Sequence, residues 1–201
     1  MQLTEIRIAG FGGQGVILAA TVIGKAASIF QGAYATMTQS FGPEARGGSS
    51  SAQVILSGDP ILYPYVAQPD VLVVMSQEAY TRFAPQLKPG GTLIIEQDLV
   101  RLDSTPHGAA RIYGVPATRL AEELGRKMVL NVVMVGFFGA ITKVLEAESL
   151  RQAVNDSVPP AFQKLNLQAF EKGWEYGGKL LDKLAHSGET EGHLVALESE
   201  A

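Results

Sequence analysis

The residues most able to do chemistry form a glycine-rich stretch near the N-terminus, Gly10-Phe11-Gly12-Gly13-Gln14-Gly15. A strand pattern precedes this stretch, and a helix pattern from Val16 to Phe30 follows it. This order is typical of a phosphate site, because glycine lets the backbone turn sharply and approach a ligand closely. The free amide groups at a helix start also favour an anion. The alternative is that the glycines only allow the strand and the helix to pack closely.

The side chains that accompany the common nucleotide motifs are missing. A dinucleotide site expects a carboxylate at the end of the second strand, about twenty residues after the glycines. The predicted second strand ends instead in Thr36-Met37-Thr38-Gln39, and no G-K-[ST] sequence follows the glycines. A P-loop is therefore excluded, and a dehydrogenase that works alone is disfavoured. The stretch predicts a site for a phosphate or pyrophosphate group of some other ligand.

A second polar loop, Phe41–Ser49, contains Glu44 and Arg46 beside the glycines Gly47 and Gly48. The strand before this loop is expected to end at the same sheet edge as the first turn, where α/β proteins bind ligands. The two loops should then form one shared surface. Arg46 can pair with a phosphate or carboxylate, while Glu44 orients it or faces a partner. The alternative is a surface ion pair of little energetic value.

Residues for independent catalysis are not evident. The chain has no cysteine, which excludes disulfides, thiolate metal sites and cysteine nucleophiles. Ser49-Ser50-Ser51 lacks a histidine base, and Asp98 and Asp103 are expected to be solvated rather than paired. Three histidines lie in polar segments without the spacing of metal ligands: His107, His186 and His193. We therefore predict no catalytic residue and no metal site in this chain.

The composition is that of an ordinary globular protein, with 201 residues, 46% apolar and 18% charged. A net charge of −4 without a run of lysine or arginine argues against nucleic acid binding. The apolar stretches are too short to span a membrane, and no signal peptide is evident, so a cytoplasmic protein is expected. The mean hydropathy of +0.13 suggests an apolar surface covered by a partner.

Strand and helix patterns alternate over roughly the first 115 residues, which predicts a Rossmann-like, doubly wound α/β fold with a mainly parallel sheet and a helical C-terminal part. Further strands are predicted at Ala33–Thr38, Ser51–Leu56, Val71–Met75, Thr92–Glu96 and Arg111–Val115. Helices are predicted after a Ser76 cap and at Ala117–Leu124, Val129–Leu145, Leu150–Val154 and Ala161–Leu184. We expect one domain over residues 1–185 and an acidic, flexible tail over residues 186–201.

Together these motifs resemble the gamma subunit, or gamma domain, of 2-oxoacid:ferredoxin oxidoreductases. The resemblance rests on the first glycine stretch and on Gln39-Ser40-Phe41-Gly42-Pro43-Glu44-Ala45-Arg46-Gly47-Gly48. It also includes Gln68-Pro69-Asp70 before a buried strand and Ser76-Gln77-Glu78-Ala79-Tyr80 after it. It covers about residues 3–180 and leaves the acidic tail outside.

The resemblance implies a complex that oxidatively decarboxylates a 2-oxoacid to an acyl-CoA and passes electrons to ferredoxin or another acceptor. It places thiamine diphosphate, magnesium and iron–sulfur clusters on alpha, beta and ferredoxin-like partner subunits. Coenzyme A is expected as a co-substrate beside this chain, which would help to form the active-site chamber. The residues expected to bind it are Gly10, Gly12, Gly13, Gln14, Gly15, Glu44, Arg46, Gly47 and Gly48.

The substrate stays open among 2-oxoglutarate, pyruvate, branched-chain and aromatic 2-oxoacids. The layout as a separate chain favours 2-oxoglutarate on the resemblance alone. The alternative function is a stand-alone regulatory module that binds a nucleotide or an acyl-CoA.

Overall fold

The computed structural model describes residues 1–41, 48–102, 111–187 and 194–195. The strands are β1 (Thr4–Phe11), β2 (Tyr34–Phe41), β3 (Ser49–Ser57), β4 (Val71–Val74), β5 (Thr92–Glu96), β6 (Arg111–Val115) and β7 (Leu194–Val195). The helices are α1 (Val16–Lys25), α2 (Gln77–Phe83), α3 (Ala117–Glu123), α4 (Leu130–Thr142), α5 (Ala147–Asp156) and α6 (Pro160–Ser187). A π-helical segment, Ala26–Phe30, continues α1, and short 3₁₀ turns at Ala84–Gln86 and Lys127–Val129 follow α2 and precede α4.

The strands form one sheet in the order β2-β3-β1-β4-β5-β6-β7, which confirms the predicted α/β fold with a mainly parallel sheet. The exception is β3, which runs antiparallel to both β1 and β2. β2 ends at Phe41 and β3 begins at Ser49, so the connection is too short for the crossover that parallel neighbours need. As a result β2 points the same way as β1, and both Phe41 and Gly10 pair with Ser50. The two predicted loops therefore begin at the same end of the sheet, where β1 and β2 both end, as expected.

Helices cover both faces of the sheet. The larger core lies between the sheet and the helices α1, α3, α4, α5 and α6, while α2 packs on the opposite face against Ala9, Leu72 and Val74. The α4 residues Met134 and Phe138 line a small internal void together with Ile8 and Val73 of the sheet. α4 is buried from Leu130 to Ala140 because it also packs against α6. The predicted all-round apolar helix is therefore a central core element.

Glycines allow α4 and α6 to pack with their backbones in contact. A Cβ atom on Gly136 would overlap the carbonyl oxygen of Phe170, and one on Gly173 would overlap that of Val133. One turn further along α6, a Cβ atom on Gly177 would lie 2.7 Å from the Ala140 Cβ. The helices can approach this closely only because these positions have no side chain.

Replacing Gly173 with alanine is expected to lower the free energy of unfolding by about 1–3 kcal/mol, because the added methyl group forces the two helices apart. Gly178→Ala in the same helix is the matched control, since its Cβ would meet no atom within 4 Å. That control should be neutral or stabilising by up to about 1 kcal/mol. Urea unfolding followed by circular dichroism measures both, and equal effects would contradict the close contact.

The C-terminal end departs in detail from the prediction. α6 runs to Ser187, and Leu194–Val195 form β7, which pairs in parallel with β6. Residues 188–193 and 196–201, most of the predicted tail, lie outside the described part of the chain. Within the described ranges, no helix is long and apolar enough to cross a membrane.

Candidate anion-binding site at the glycine turn

The turn between β1 and α1 needs glycine at two positions. Gly13 has φ +95° and Gly15 has φ +74°, both in the left-handed region that other residues rarely adopt. At Gly15 a Cβ atom would also lie 2.5 Å from the Asn131 amide nitrogen, so no side chain fits. At Gly13 a Cβ would meet nothing within 4 Å. Gly13 therefore leaves the backbone open to an incoming ligand.

Gln14 holds the turn in shape from within. Its Oε1 accepts a hydrogen bond from the Phe11 amide at 2.6 Å, and its Nε2 donates to the Met75 carbonyl at 2.8 Å. Its own backbone amide donates to the Phe11 carbonyl at 3.1 Å. Gly10 leaves room for this arrangement, since a Cβ there would lie 2.5 Å from Gln14 Oε1. Both residues thus shape the turn rather than face a ligand with a side chain.

The structure brings the second loop to the first at one described contact. The Gly12 amide donates to the Gly48 carbonyl at 2.8 Å, which joins the end of the β2–β3 connection to the glycine turn. The other predicted residues of this loop, Glu44, Arg46 and Gly47, lie outside the described part of the chain. The loop is also shorter than predicted, because β2 extends to Phe41 and β3 begins at Ser49.

The start of α1 presents backbone amides suited to an anion. The first helical hydrogen bond runs from the Ala19 amide to the Gly15 carbonyl at 3.0 Å. Within the described part of the chain, the amides of Val16, Ile17 and Leu18 have no acceptor. No acidic residue occupies the first turn of α1. Such a helix start carries a partial positive charge, so a phosphate or carboxylate would be stabilised there.

A cavity of about 480 Å³ opens beside the turn. Gly13 and Gly15 form one end of it, and its remaining lining is mainly apolar: Leu18, Met128, Val129, Phe162 and Leu165 among others. Its polar side chains are Arg126, Asn131 and Asn166. Asn131 Nδ2 donates to the Gly15 carbonyl at 3.2 Å, and Asn166 Nδ2 donates to the Phe162 carbonyl at 2.9 Å.

Sequence reasoning missed these three polar residues. Asn131 is the one with a readable signal, because it is a single amide within the apolar stretch Val129–Leu145. Its side chain is only 3% exposed, and a buried amide needs hydrogen-bond partners that an apolar core cannot supply. Arg126 and Asn166 have no comparable signal, since exposed loops and helices commonly contain such residues.

Glu96 is a buried carboxylate at the same sheet edge, and it supports the backbone rather than catalysis. Its Oε2 accepts from the amides of Asp98 and Leu99 at 2.9 and 2.7 Å, and its Oε1 accepts from that of Thr118 at 3.0 Å. Burial raises the pKa of Glu96 above its usual 4.5, while the hydrogen bonds from Thr118 and Leu99 oppose the rise. The carboxylate therefore ties the loop after β5 to the start of α3.

Replacing Glu96 with glutamine should lower the free energy of unfolding by about 1–3 kcal/mol, because both carboxyl oxygens can accept a backbone N–H, whether ionised or protonated, whereas the amide nitrogen of glutamine cannot accept one. A raised pKa means that the fold favours the protonated carboxyl, so this stabilisation is complete below pH 4.5 and declines as the pH rises through the raised pKa. The stability gap between the wild type and Glu96→Gln should be wider at pH 4 than at pH 8. Urea titrations at both pH values measure it, and a gap that widens toward pH 8 would contradict the raised pKa.

One expectation about the neighbouring acidic residues was wrong. Asp98 is paired rather than solvated, since Arg119 donates to its two carboxylate oxygens at 2.7 and 3.0 Å. The pairing arises because the loop after β5 and helix α3 start at the same edge, which the sequence spacing did not reveal. Asp103, His107 and His193 lie outside the described residues. Among the residues that are described, no cluster of three histidine or acidic side chains could hold a metal ion.

A doubly wound sheet with a glycine turn at the carboxyl ends of its strands defines a Rossmann-like α/β protein. Residues 5–176 match the family pyruvate ferredoxin/flavodoxin oxidoreductase, so the chain belongs to this family.

Individual relatives agree with the family match. The chain is 44% identical over 177 residues to the 2-oxoglutarate synthase subunit KorC of Methanocaldococcus jannaschii, covering 88% of this chain and 95% of that protein. A solved keto/oxoacid ferredoxin oxidoreductase gamma subunit from Geobacter sulfurreducens is 38% identical, with a TM-score of 0.76 over 87% of this chain and 98% of that one. The resemblance to gamma subunits is confirmed, and this chain is a subunit of a 2-oxoacid:ferredoxin oxidoreductase complex.

A third similarity shows the fold within a longer protein. The solved 2-oxoglutarate:ferredoxin oxidoreductase from Magnetococcus marinus has a TM-score of 0.75 and 22% identity, covering 98% of this chain but 33% of that chain. That structure contains 2-oxoglutarate, coenzyme A and succinyl-CoA.

Proposed function

We propose that this gamma subunit binds coenzyme A through the turn from Gly13 to Val16 and helps to close the active-site chamber of its complex. The observation that carries the proposal is the row of free amides at the start of α1, beside an open cavity. A pyrophosphate accepts hydrogen bonds from such amides without needing a basic side chain. The described lining of this cavity also contains no carboxylate, which a ribose-reading dinucleotide site would use.

Two aromatic side chains support a subunit contact at this edge. Phe11 and Phe41, at the ends of β1 and β2, are 40% and 63% exposed. The two side chains lie on opposite faces of the sheet, because Phe41 is in register with Gly10 through Ser50 whereas Phe11 is in register with Ser49, so a partner that contacts both would cover the ends of the strands. The loop of Glu44, Arg46, Gly47 and Gly48 follows Phe41, and we propose that it closes the chamber against a partner subunit.

The redox groups belong to the other subunits in this proposal. The chain has no cysteine with which to ligate an iron–sulfur cluster. Thiamine diphosphate, magnesium and the clusters would then lie on alpha, beta and ferredoxin-like subunits, which deliver electrons to ferredoxin or another acceptor. What this chain contributes is binding: its amides hold phosphate groups, and its turn fixes where the bound coenzyme A enters the chamber.

The proposed substrate is 2-oxoglutarate, which the relative from Methanocaldococcus jannaschii supports by its name and by its 44% identity over nearly its whole length. The complex should be purified and assayed with coenzyme A, a viologen dye and a panel of 2-oxoacids. We expect the highest kcat/KM with 2-oxoglutarate. A higher value with pyruvate, a branched-chain or an aromatic 2-oxoacid would assign the complex to that substrate instead.

Replacing Gly13 with alanine should raise the KM for coenzyme A about tenfold while leaving 2-oxoacid decarboxylation mostly intact, because the added methyl group points into the ligand's space. Gly90→Ala is the matched control. Gly90 has φ +79° and nothing within 4 Å of a Cβ, but it lies in the turn before β5, at the opposite sheet edge. Steady-state kinetics of the assembled complex measure both variants. Equal loss of both half-reactions in Gly13→Ala, with the complex intact, would refute binding of coenzyme A at this turn.

Copurification distinguishes the proposed subunit role from the alternative of a stand-alone regulatory module. If the chain is a subunit as proposed, a tagged form expressed from its chromosomal gene in the native organism should copurify with larger, cysteine-rich subunits. Those subunits would carry the iron–sulfur absorbance and the viologen-reducing activity. Recovery of the chain alone, still able to bind coenzyme A, would favour the regulatory module.

A further inference from the structure

The connection between β3 and β4 exposes an apolar segment, Ile61–Tyr65, which we call the aromatic loop. Three of its side chains face solvent: Leu62 is 96% exposed, Tyr63 is 68% exposed and Tyr65 is 57% exposed. The rings of the two tyrosines contact each other edge to face, with their centroids 5.5 Å apart. The tyrosines alone expose roughly 250 Å² of surface, and tyrosine is enriched among the residues that contribute most to protein–protein binding.

The aromatic loop is fixed to the sheet through Val66, which follows it. The Val66 amide donates to Gln53 Oε1 at 2.8 Å, and the Val66 carbonyl accepts from Arg7 Nη2 at 2.9 Å. Gln53 and Arg7 are paired neighbours on β3 and β1. Arg7 is only 4% exposed, donates also to Gln86 Oε1, and lies with its guanidinium 5.0 Å from the centroid of the Phe83 ring. Side chains of the sheet therefore hold both backbone groups of Val66.

This anchoring orders the loop before any partner binds. Pro60 and Pro64 restrict the backbone further, so that little conformational entropy is left to lose on binding. Burying a guanidinium is costly, and burial lowers the pKa of Arg7 below its usual value. The stability of this chain alone does not explain a buried cation that orders solvent-exposed apolar side chains, whereas a contact with another molecule does.

The sheet face beside the aromatic loop extends this surface with short polar side chains. The helix on this face, α2, packs against β1 and β4. The side chains that β2 and β3 direct to the same face include Thr38, Ser40, Ser49, Ser51 and Gln53. Phe11, in register with Ser49, also lies on this face and is 40% exposed. It is about 13 Å along β1 from Arg7, so the surface continues to the end of the sheet that holds the glycine turn.

We propose that the aromatic loop and this sheet face form the docking surface for a larger subunit of the same oxidoreductase complex. The partner presents an apolar recess to Leu62 and to the two tyrosine rings, and oxygen acceptors to the tyrosine hydroxyl groups. A carboxylate of the partner pairs with Arg82, which is exposed at the border of the surface and donates to Ser49 Oγ at 3.2 Å.

Size, charge and position favour a larger subunit over a second copy of this chain. A standard interface covers about 800 Å² on each partner, more than the aromatic loop supplies, so the partner must also cover the sheet face. The surface has an exposed cation, Arg82, and its side chains named above include no carboxylate, so it is not complementary to itself. It also ends at the glycine turn, where a partner subunit closes the chamber in the proposed function above. The inference rests on that function for this last point alone.

Purification of the complex through a tag on this chain, with variants expressed from the chromosomal gene, tests the proposal. Leu62→Asp should lower the amount of copurified larger subunits at least tenfold, because a carboxylate would be buried in an apolar contact. Leu62→Ser should give a several-fold loss in the same direction. Ile29→Asp is the matched control and should copurify as the wild type does, because Ile29 is 61% exposed in the helical segment that continues α1 on the opposite face. Quantitative mass spectrometry measures each subunit per mole of this chain.

Thermal unfolding of the purified chain separates docking from folding. Both Leu62 variants should unfold within about 2 °C of the wild type, since so exposed a side chain has no packing to lose. Wild-type recovery of the larger subunits with Leu62→Asp, or an equal loss with Ile29→Asp, would overturn the proposal. Light scattering should show that the isolated chain is a monomer. A dimer that Leu62→Asp dissociates would assign the loop to a second copy and overturn the proposal as well.

The KM for coenzyme A separates this inference from the proposed function. Complex that still forms with Leu62→Ser should keep the wild-type KM, whereas complex with Gly13→Ala should assemble normally and show a raised KM. Normal assembly of Leu62→Asp would therefore leave the coenzyme A assignment intact. An unchanged KM in Gly13→Ala would refute that assignment and leave the docking surface standing.

Discussion

The close approach of α4 to its neighbours is the constraint on which the rest of the structure depends. On one side Gly136 and Gly173 let α4 and α6 touch backbone to backbone. At its first turn Asn131 reaches the Gly15 carbonyl, where no side chain would fit. Moving α4 outward would therefore open the core and release the glycine turn together. The packing of α4 and the shape of the candidate site are therefore coupled in this protein.

At the carboxyl ends of the strands, the described acidic side chains Glu96 and Asp98 are engaged with other groups of the protein. The two carboxyl oxygens of the buried Glu96 accept hydrogen bonds from three backbone amides, and Asp98 forms an ion pair with Arg119. In the described part of the chain, the backbone amides at the start of α1 have no acceptor, and Asn131 and Asn166 donate their Nδ2 groups to backbone carbonyls. Neutral donors and acceptors of this kind can position a ligand without changing its protonation, which agrees with the proposed role in binding coenzyme A.

Local patterns predicted most of the fold. Apolar runs located β4 and β5, and the Ser76 cap located α2, where its Oγ accepts from the Ala79 amide at 3.2 Å. The direction of β3 was not predictable in this way, because the strand pattern is the same in either orientation. The hairpin with β2 settled it. The pairing of Asp98 likewise depends on where Arg119 arrives in space, 21 residues further along the chain.

The sequence by itself determined the glycine turn, the alternation of strands and helices, and the family resemblance. Each of these depends on residues close together in the chain, where backbone preference and hydrophobic periodicity act. Only the tertiary structure decided which side chains complete the candidate site. Asn131 is 116 residues from Gly15, and Arg126 and Asn166 come from two further segments. Their meeting follows from how α4 and α6 pack against the sheet, and no local pattern encodes that packing.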